Sequence, residues 1–481
     1  MGEQGLALSY VHDWVFRNPS DDAAAAADDQ GFLPAAARKI TDSVVFELHC
    51  HSNRSDGFLS PAALVERAHR NGVGFLTVLF SVDSFCFVNV LALTDHDTMA
   101  GISEAMQTAQ KYGIRIIPGV EISAVCSPRF SKGQWFAHVI IYVAVFSYEE
   151  EAFLETKLIS FHKEVHPLKP HLLILCMNDR REEAGIGEPV HILAYYGSSG
   201  PSRYEDLDNL LSNIRDGRYE RAKNMLLKLA KLKVPIKWEH VAKITGEGVA
   251  PGRVHIARAM VEAGHVENLR EAFNRYLYDG GPAYALGTEP SAEEVLQLIH
   301  RTGGISALAH PWALKNPIAV IRSLNAAGLH AMEVYRSDGK ASGYGELADT
   351  HELIKIGGSD YHGRGGHDES DLGSVRLPLI SIYRFLKVAR PIWCNATKDI
   401  LQNFAEDPSH TSLEKIMRFL MPNKFKGFST ANSAKDIVDL CVSSWLSKDE
   451  KEENDFDEIR HMLADTFISN CSAQMSLYSS R

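Results

Sequence analysis

The feature that most constrains the fold is a rhythm. From residue 44 onward, short apolar runs alternate with helical patterns, and most of the runs lead into histidine or a carboxylate. Residues 44–48 read as a strand that leads into His49-Cys50-His51, with Asp56 five residues on in a Ser-Asp-Gly turn. Residues 90–93 lead into Thr94-Asp95-His96-Asp97, and 114–117 into Pro118-Gly119-Val120-Glu121. Residues 190–194 contain His191. Residues 305–309 stop at His310, 329–334 come next, and 354–356 precede Ser359-Asp360-Tyr361-His362. Strand–helix alternation of this kind predicts a parallel α/β fold closed into a barrel. The C-terminal ends of barrel strands share one face, so these side chains are expected to meet there.

Histidines at i and i+2 on a strand point the same way, which lets His49 and His51 reach one ion. Taken singly, each of these residues has a plain structural role, and Asp95 or Asp97 reads as a helix N-cap. Taken together, six histidines and three acids at successive strand ends are costly to cluster without a cation. Nine ligands exceed the four to six of a single ion, so two or three divalent ions are expected. Mixed imidazole and carboxylate donors suit Mn, Zn or Fe, with Mg possible. Ions about 3.5–4 Å apart clamp a phosphate and acidify a bridging water. The expected chemistry is therefore phosphate-ester hydrolysis by metal-bound hydroxide. No Gly-x-Ser-x-Gly nucleophile element is present.

His49-x-His51, Thr94-Asp95-His96-Asp97, Pro118-Gly119-Val120-Glu121, Ala309-His310-Pro311 and Ser359-Asp360-x-His362 resemble the motifs of the PHP (polymerase and histidinol phosphatase) superfamily. The resemblance is nearest to the branch of nucleoside-3′,5′-bisphosphate phosphatases, short-RNA 5′-to-3′ exoribonucleases and their plant relatives. It spans roughly residues 44–395 and implies a distorted (β/α)7 barrel with a trinuclear site. By resemblance, one ion takes His49, His51, Glu121 and Asp360; a second shares Glu121 and takes His191 and His310. The third takes Asp56, His96 and His362, the residues expected to be catalytic. The helical insertion of that branch resembles residues 204–285, including Gly252-Arg253-Val254-His255-Ile256-Ala257-Arg258. Arg253, His255 and Arg258, with Arg336 at a strand end, are the expected substrate contacts. A guanidinium there suits a second phosphate.

The implied function is hydrolysis of small nucleotide esters, a nucleoside 3′,5′-bisphosphate or a short oligonucleotide taken from its 5′ end. The alternatives are a histidinol-phosphate-type phosphomonoesterase and a non-catalytic relative inactivated by insertions. A formal charge of −11 argues against long duplex nucleic acid as a partner. Seven scattered cysteines without a Cys-x-x-Cys pair, and no secretory signal, point to a reducing intracellular compartment, cytoplasmic or nuclear. No apolar run approaches the ~18 residues of a membrane span, so no membrane partner is expected, and a monomer is.

The expected organisation is a flexible leader (1–43), a first barrel part (44–203), a helical insertion or lid (204–285), a second barrel part (286–395) and a polar helical tail (396–481). Two stretches interrupt it. Residues 74–88 stand where a short turn is expected, and 130–181 mix apolar runs without a steady period. They read as intron or gene-model sequence, or else as surface loops. Displacement of a neighbouring strand by either would cost a metal site.

Overall fold

The fold is seen in a computed structural model that describes residues 2–16, 44–71, 88–127, 187–246, 248–337, 342–365, 369–407 and 409–420, with 441, 445, 446, 450 and 456–463 near the C-terminus. Seven strands form one sheet in chain order: β1 (Val45–Glu47), β2 (Val88–Leu93), β3 (Arg115–Cys126), β4 (Glu188–Tyr195), β5 (Ile305–Leu308), β6 (Ala331–Tyr335) and β7 (Ile354–Gly357). The last strand returns to the first. Beyond β7, Tyr361 bridges Cys50, the His51 amide donates to the Tyr361 carbonyl at 2.8 Å, and the Asp360 amide donates to the His49 carbonyl at 2.9 Å. Closure thus runs through extended chain past the strand ends, which distorts the α/β barrel.

The helices in chain order are α1 (Glu3–Phe16), α2 (Pro61–Asn71), α3 (Ile102–Ala109), α4 (Tyr204–Lys231), α5 (Trp238–Thr245), α6 (Arg253–Glu262) and α7 (Leu269–Ala272). After them come α8 (Ala292–Arg301), α9 (Pro317–Ala326), α10 (Ser342–Thr350), α11 (Leu379–Glu406) and α12 (His410–Leu420). The start signals act as their chemistry requires. Ser60 Oγ accepts from the Ala63 amide at 3.1 Å, and Ser291 and Glu294 form a reciprocal capping box on α8.

The sheet is mixed rather than wholly parallel, which corrects the expectation. β4 runs antiparallel to both β3 and β5. Its beginning therefore lies at the barrel mouth, and His191 reaches the mouth from the start of its strand. Period-two alternation sorts the strands into two faces. Phe46, Val90, Ala92, Ile117, Leu193 and Tyr195 face inward and share a core with α1 and α11. Leu91, Leu93, Ile116, Ile192, Leu308 and Met332 belong to the outer core with α2, α3, α8 and α9.

Two boundaries differ from expectation. The leader includes α1, which buries Val11, Trp14 and Val15 against the barrel interior, because an apolar helix face there closes the barrel floor. The proposed tail boundary at 396 falls inside α11, a single 28-residue helix whose far end buries Leu401 and Phe404 with Leu413 and Ile416 of α12. The described residues beyond 396 are thus packed as well as polar. Residues 204–285 are helical where described and carry their own core, with Met225, Leu226 and Leu229 inside it; Leu232, just past the last turn of α4, is 40% exposed. The atypical stretches 74–88 and 130–181 lie almost wholly outside the described residues, but β2, β3 and β4 beside them stay paired with their neighbours, with one register shift against β1, between Val45 and Phe46. Among the described residues no helix is long and apolar enough to cross a membrane.

Candidate metal centre

The interior of the barrel changes character along its axis. Below, the inward positions are apolar; towards the mouth the same alternation brings in Glu121 of β3, His191 of β4 and Glu333 of β6. His49 and His51 lie just past β1, in the extended chain that bridges to Tyr361. The close approach of these segments needs glycine. A Cβ on Gly358 would stand 2.5 Å from the Cβ of His49, and one on Gly57 would stand 2.5 Å from the His51 carbonyl oxygen.

All nine of the residues expected as metal ligands are brought to one cluster. His49 Nε2 lies 3.1 Å from His51 Nε2, and each is within 3.2–3.4 Å of Glu121 Oε2 and Asp360 Oδ1. Glu121 Oε1 lies 2.9 Å from His191 Nδ1 and 3.0 Å from His310 Nε2. Its other oxygen lies 3.0 Å from His96 Nδ1. His362 Nε2 is 3.2 Å from Asp56 Oδ1, and His96 Nε2 is 3.8 Å from it. Among the described residues three donor groups have a compactness that suits an ion: His51 with Asp56, His96 and His362; His49 with His51 and Asp360; and His96 with Glu121 and His191. His51 and His96 each belong to two of them, so the sharing is wider than the partition expected by resemblance.

The chemistry of the donors fits a divalent cation. His51 Nδ1, Asp56 Oδ1, His96 Nδ1 and Glu121 Oε2 are buried without a hydrogen-bond partner. Such orphaned atoms are rare and expensive in protein interiors. Two imidazole nitrogens 3.1 Å apart also need a shared proton or a cation between them. The electrostatics agree. Burial alone would raise Glu121, but His96, His191 and His49 around it hold its carboxyl well below the usual range. Burial would likewise lower His51, yet Asp360 and Glu121 outweigh it and push the imidazole up to about 10. Without metal, a proton on the His51 imidazole does part of the neutralising, while burial holds His96 well below its ordinary value; cation binding displaces that proton.

Around this cluster stand buried groups that the motifs did not reveal. Glu333 Oε1 meets His49 Nδ1 at 3.0 Å and its Oε2 accepts from the His310 amide at 2.7 Å, the carboxylate–imidazole support typical of metal sites. Glu47 accepts from the amides of His49, Ser359 and Gly373, tying β1 to the segment of Asp360. Asp95 is not a helix cap: it accepts from the Ser52 amide and hydroxyl and from Ser55 Oγ, and so fixes the loop that carries Asp56. Asp97 is not a cap either. It is fully buried, accepts from Ser123 and binds Arg218 of α4 at 2.6 Å, which clamps the helical insertion to the mouth. A glutamate inside the apolar β6 run was the one available sequence signal for Glu333. Arg218 had none, since it lies on a helix of ordinary charged composition.

The expected substrate contacts fare unequally. His255 lines a small, narrow cleft beside Asp56 and His96, together with Arg54, Arg215, Arg218 and Thr98. Its Nδ1 accepts from the Gly252 amide at 2.9 Å, and burial lowers its pKa to about 4, so it is a neutral donor through Nε2. Arg258 places its guanidinium over the Phe58 ring and Arg336 over Trp312. Arg253 is not brought to the cleft. It binds Asp279 and the Leu277 carbonyl within the insertion, because the turn after α7 offers it a carboxylate close at hand.

The comparisons with known proteins come from three sides. No family model matches the chain. A 5′-3′ exoribonuclease of Haemophilus influenzae is 30% identical over 266 residues, 55% of this chain and 68% of that protein. A 3′,5′-nucleoside bisphosphate phosphatase of Chromobacterium violaceum is 27% identical over 371 residues, 74% of this chain and 98% of that one. Among solved structures, an amidohydrolase from Chromobacterium violaceum with bound sulfate and no metal is 25% identical, with a TM-score of 0.51 over 72% of this chain and 97% of that one.

Proposed function

The chain belongs to the PHP family of metal-dependent phosphoesterases, the branch of 5′-3′ exoribonucleases and 3′,5′-nucleoside bisphosphate phosphatases, and from that premise we propose that it hydrolyses phosphate esters of small nucleotides on two or three divalent ions. The observation that carries this reading is the convergence of nine histidines and acids from distant segments into one partly buried cluster with orphaned donor atoms.

In this reading His49, His51, Glu121 and Asp360 hold one ion, His191 and His310 hold a second with Glu121, and Asp56, His96 and His362 hold the third. The imidazole-rich donor set favours Mn, Zn or Fe over Mg. When bound, such ions neutralise phosphoryl oxygens and acidify a water for in-line attack. The chain's own residues do the rest. Glu333 keeps the His49 ring turned towards the cluster, and Asp95 keeps Asp56 at its edge. His255 donates a hydrogen bond to a phosphate oxygen without adding charge, while the Arg215 guanidinium adds positive potential to the cleft. A tetrahedral phosphate at the cluster and a second in the cleft suit a nucleoside bisphosphate, or the 5′-terminal nucleotide of a short strand.

The test is elemental analysis of the purified chain together with phosphate release from adenosine 3′,5′-bisphosphate, with and without His51→Ala. Two or more ions per chain and activity lost in the variant support the reading. Fewer ions and no manganese-stimulated phosphate release favour a non-catalytic member of the family.

A further inference from the structure

Two aromatic side chains stand at the rim of the mouth, each two residues past a member of the cluster. Phe58 follows Asp56, and its amide donates to the His362 carbonyl at 2.7 Å. Its ring is 40% exposed, with the Arg258 guanidinium 4.6 Å from the centroid. Trp312 follows His310 and is half-buried, with the Arg336 guanidinium 4.3 Å from its ring. Tyr344 meets Trp312 edge-on at 6.4 Å. A single exposed aromatic needs no explanation. Two matched aromatic–guanidinium pairs at one mouth do.

Their placement is informative. Phe58 follows β1 and Trp312 follows β5, and in a ring of seven strands taken in chain order these lie on opposite sides. The imidazoles between them form a chain of near neighbours. His362 lies 4.3 Å from His51, His51 4.6 Å from His96, His96 4.9 Å from His191, and His191 5.1 Å from His310, centroid to centroid. Phe58 flanks the His362 end and Trp312 the His310 end. The cleft with His255 and Arg218 lies on the Phe58 side, since Asp56 and His96 line it.

We infer that Phe58 and Trp312 are two separate base-stacking platforms, so that the site takes two successive bases of a short single strand, one on each side of the phosphate at the cluster. The inference rests on the phosphoesterase reading and refines its substrate. Phe58 holds the base of the nucleotide whose other phosphate sits in the cleft, a base that a bisphosphate and an oligonucleotide both carry. Trp312 holds the next base, which only an oligonucleotide has. Stacking on a π face is tolerant of base identity, so the pair grips any sequence. A guanidinium on each ring adds attraction for the adjoining phosphates and holds the ring in place.

The experiment compares the full chain with Mn2+ and its Phe58→Ala and Trp312→Ala variants on three substrates: adenosine 3′,5′-bisphosphate, 5′-phosphorylated diadenylate, and the base-free ribose 3,5-bisphosphate. Phe58→Ala is expected to raise KM about tenfold or more for both adenine substrates and to leave the base-free one unchanged. Trp312→Ala is expected to raise KM for the dinucleotide alone. Phe58→Tyr and Trp312→Phe are expected to restore most of the loss. Equal losses on the base-free substrate, or a Trp312→Ala effect on the bisphosphate as large as on the dinucleotide, overturn the inference. Calorimetric titration with the same three ligands at chelated metal separates the two levels of the argument. A wild-type chain that hydrolyses none of them defeats the functional reading, while the binding preferences still decide for or against the platforms.

Discussion

The two ends of the barrel are built on opposite principles. At the floor, α1 and α11 press Trp14, Trp393 and Phe385 into the interior, and Trp14 lies within 6.1 Å of Phe46 and 5.1 Å of Trp445. Burial and aromatic contact stabilise the fold there. At the mouth, three residues with left-handed backbone, Asp97, His310 and Asp360, surround a cluster of ionisable groups with unsatisfied atoms. Backbone of that kind costs about 1–3 kcal/mol per residue. The comparison teaches that the closed floor supplies stability that the mouth spends on holding charged donors in place.

Substitutions can break or sharpen this contrast. The largest effect is expected at Glu121, which touches His49, His51, His96, His191 and His310. Glu121→Ala should lower kcat/KM for adenosine 3′,5′-bisphosphate by at least about 10³-fold, roughly 4 kcal/mol. At the floor the pattern should reverse. Trp14→Ala should cost about 3–5 kcal/mol in denaturant unfolding while kcat stays within twofold of wild type; a large fall in kcat would tie the two ends together after all.

Between the extremes lies the clamp. Arg218→Ala leaves the fully buried Asp97 carboxylate without its partner and should cost about 3–5 kcal/mol. Limited proteolysis should show the loss as earlier cleavage within 204–285. Glu333→Gln keeps the shape but removes the charge facing His49, and a 10- to 100-fold weaker metal affinity is expected in a competition titration. The smallest effect is one of pH at the far end. His330 precedes β6, its Nδ1 accepts from the Ser306 amide, and burial with the neighbouring His300 lowers its pKa to about 4. Between pH 6.5 and 4 the unfolded chain binds the extra proton, so stability falls as pH drops through that window. After allowance for solvent screening the effect is about 1 kcal/mol, and His330→Asn should flatten it in urea titrations at pH 6.5 and 4.5.

What the sequence revealed follows the same division. Strand positions and the members of the cluster were legible because barrel strands are short apolar runs and most cluster residues sit beside one. The direction of β4 was hidden, since the stretch before it carries no helical or turn pattern to mark the crossover. α1 was read as leader because its apolar residues, Val11, Trp14 and Val15, gain meaning only against Phe46 and Trp393. The supporting acids Asp95, Asp97 and Glu333 were obscured because a carboxylate's partners depend on loops far away in the chain. Arg253 is expected as a substrate contact through the resemblance of its helical insertion, and Asp279, 26 residues on, binds it instead.

The most direct measurement of the central claim is anomalous diffraction from crystals grown with Mn2+ or Zn2+. The account predicts at least two peaks inside the cluster, each about 2.0–2.3 Å from donor atoms of the nine residues. A map with no peak among His51, Glu121 and Asp360, the groups nearest the centre of the cluster, would contradict it.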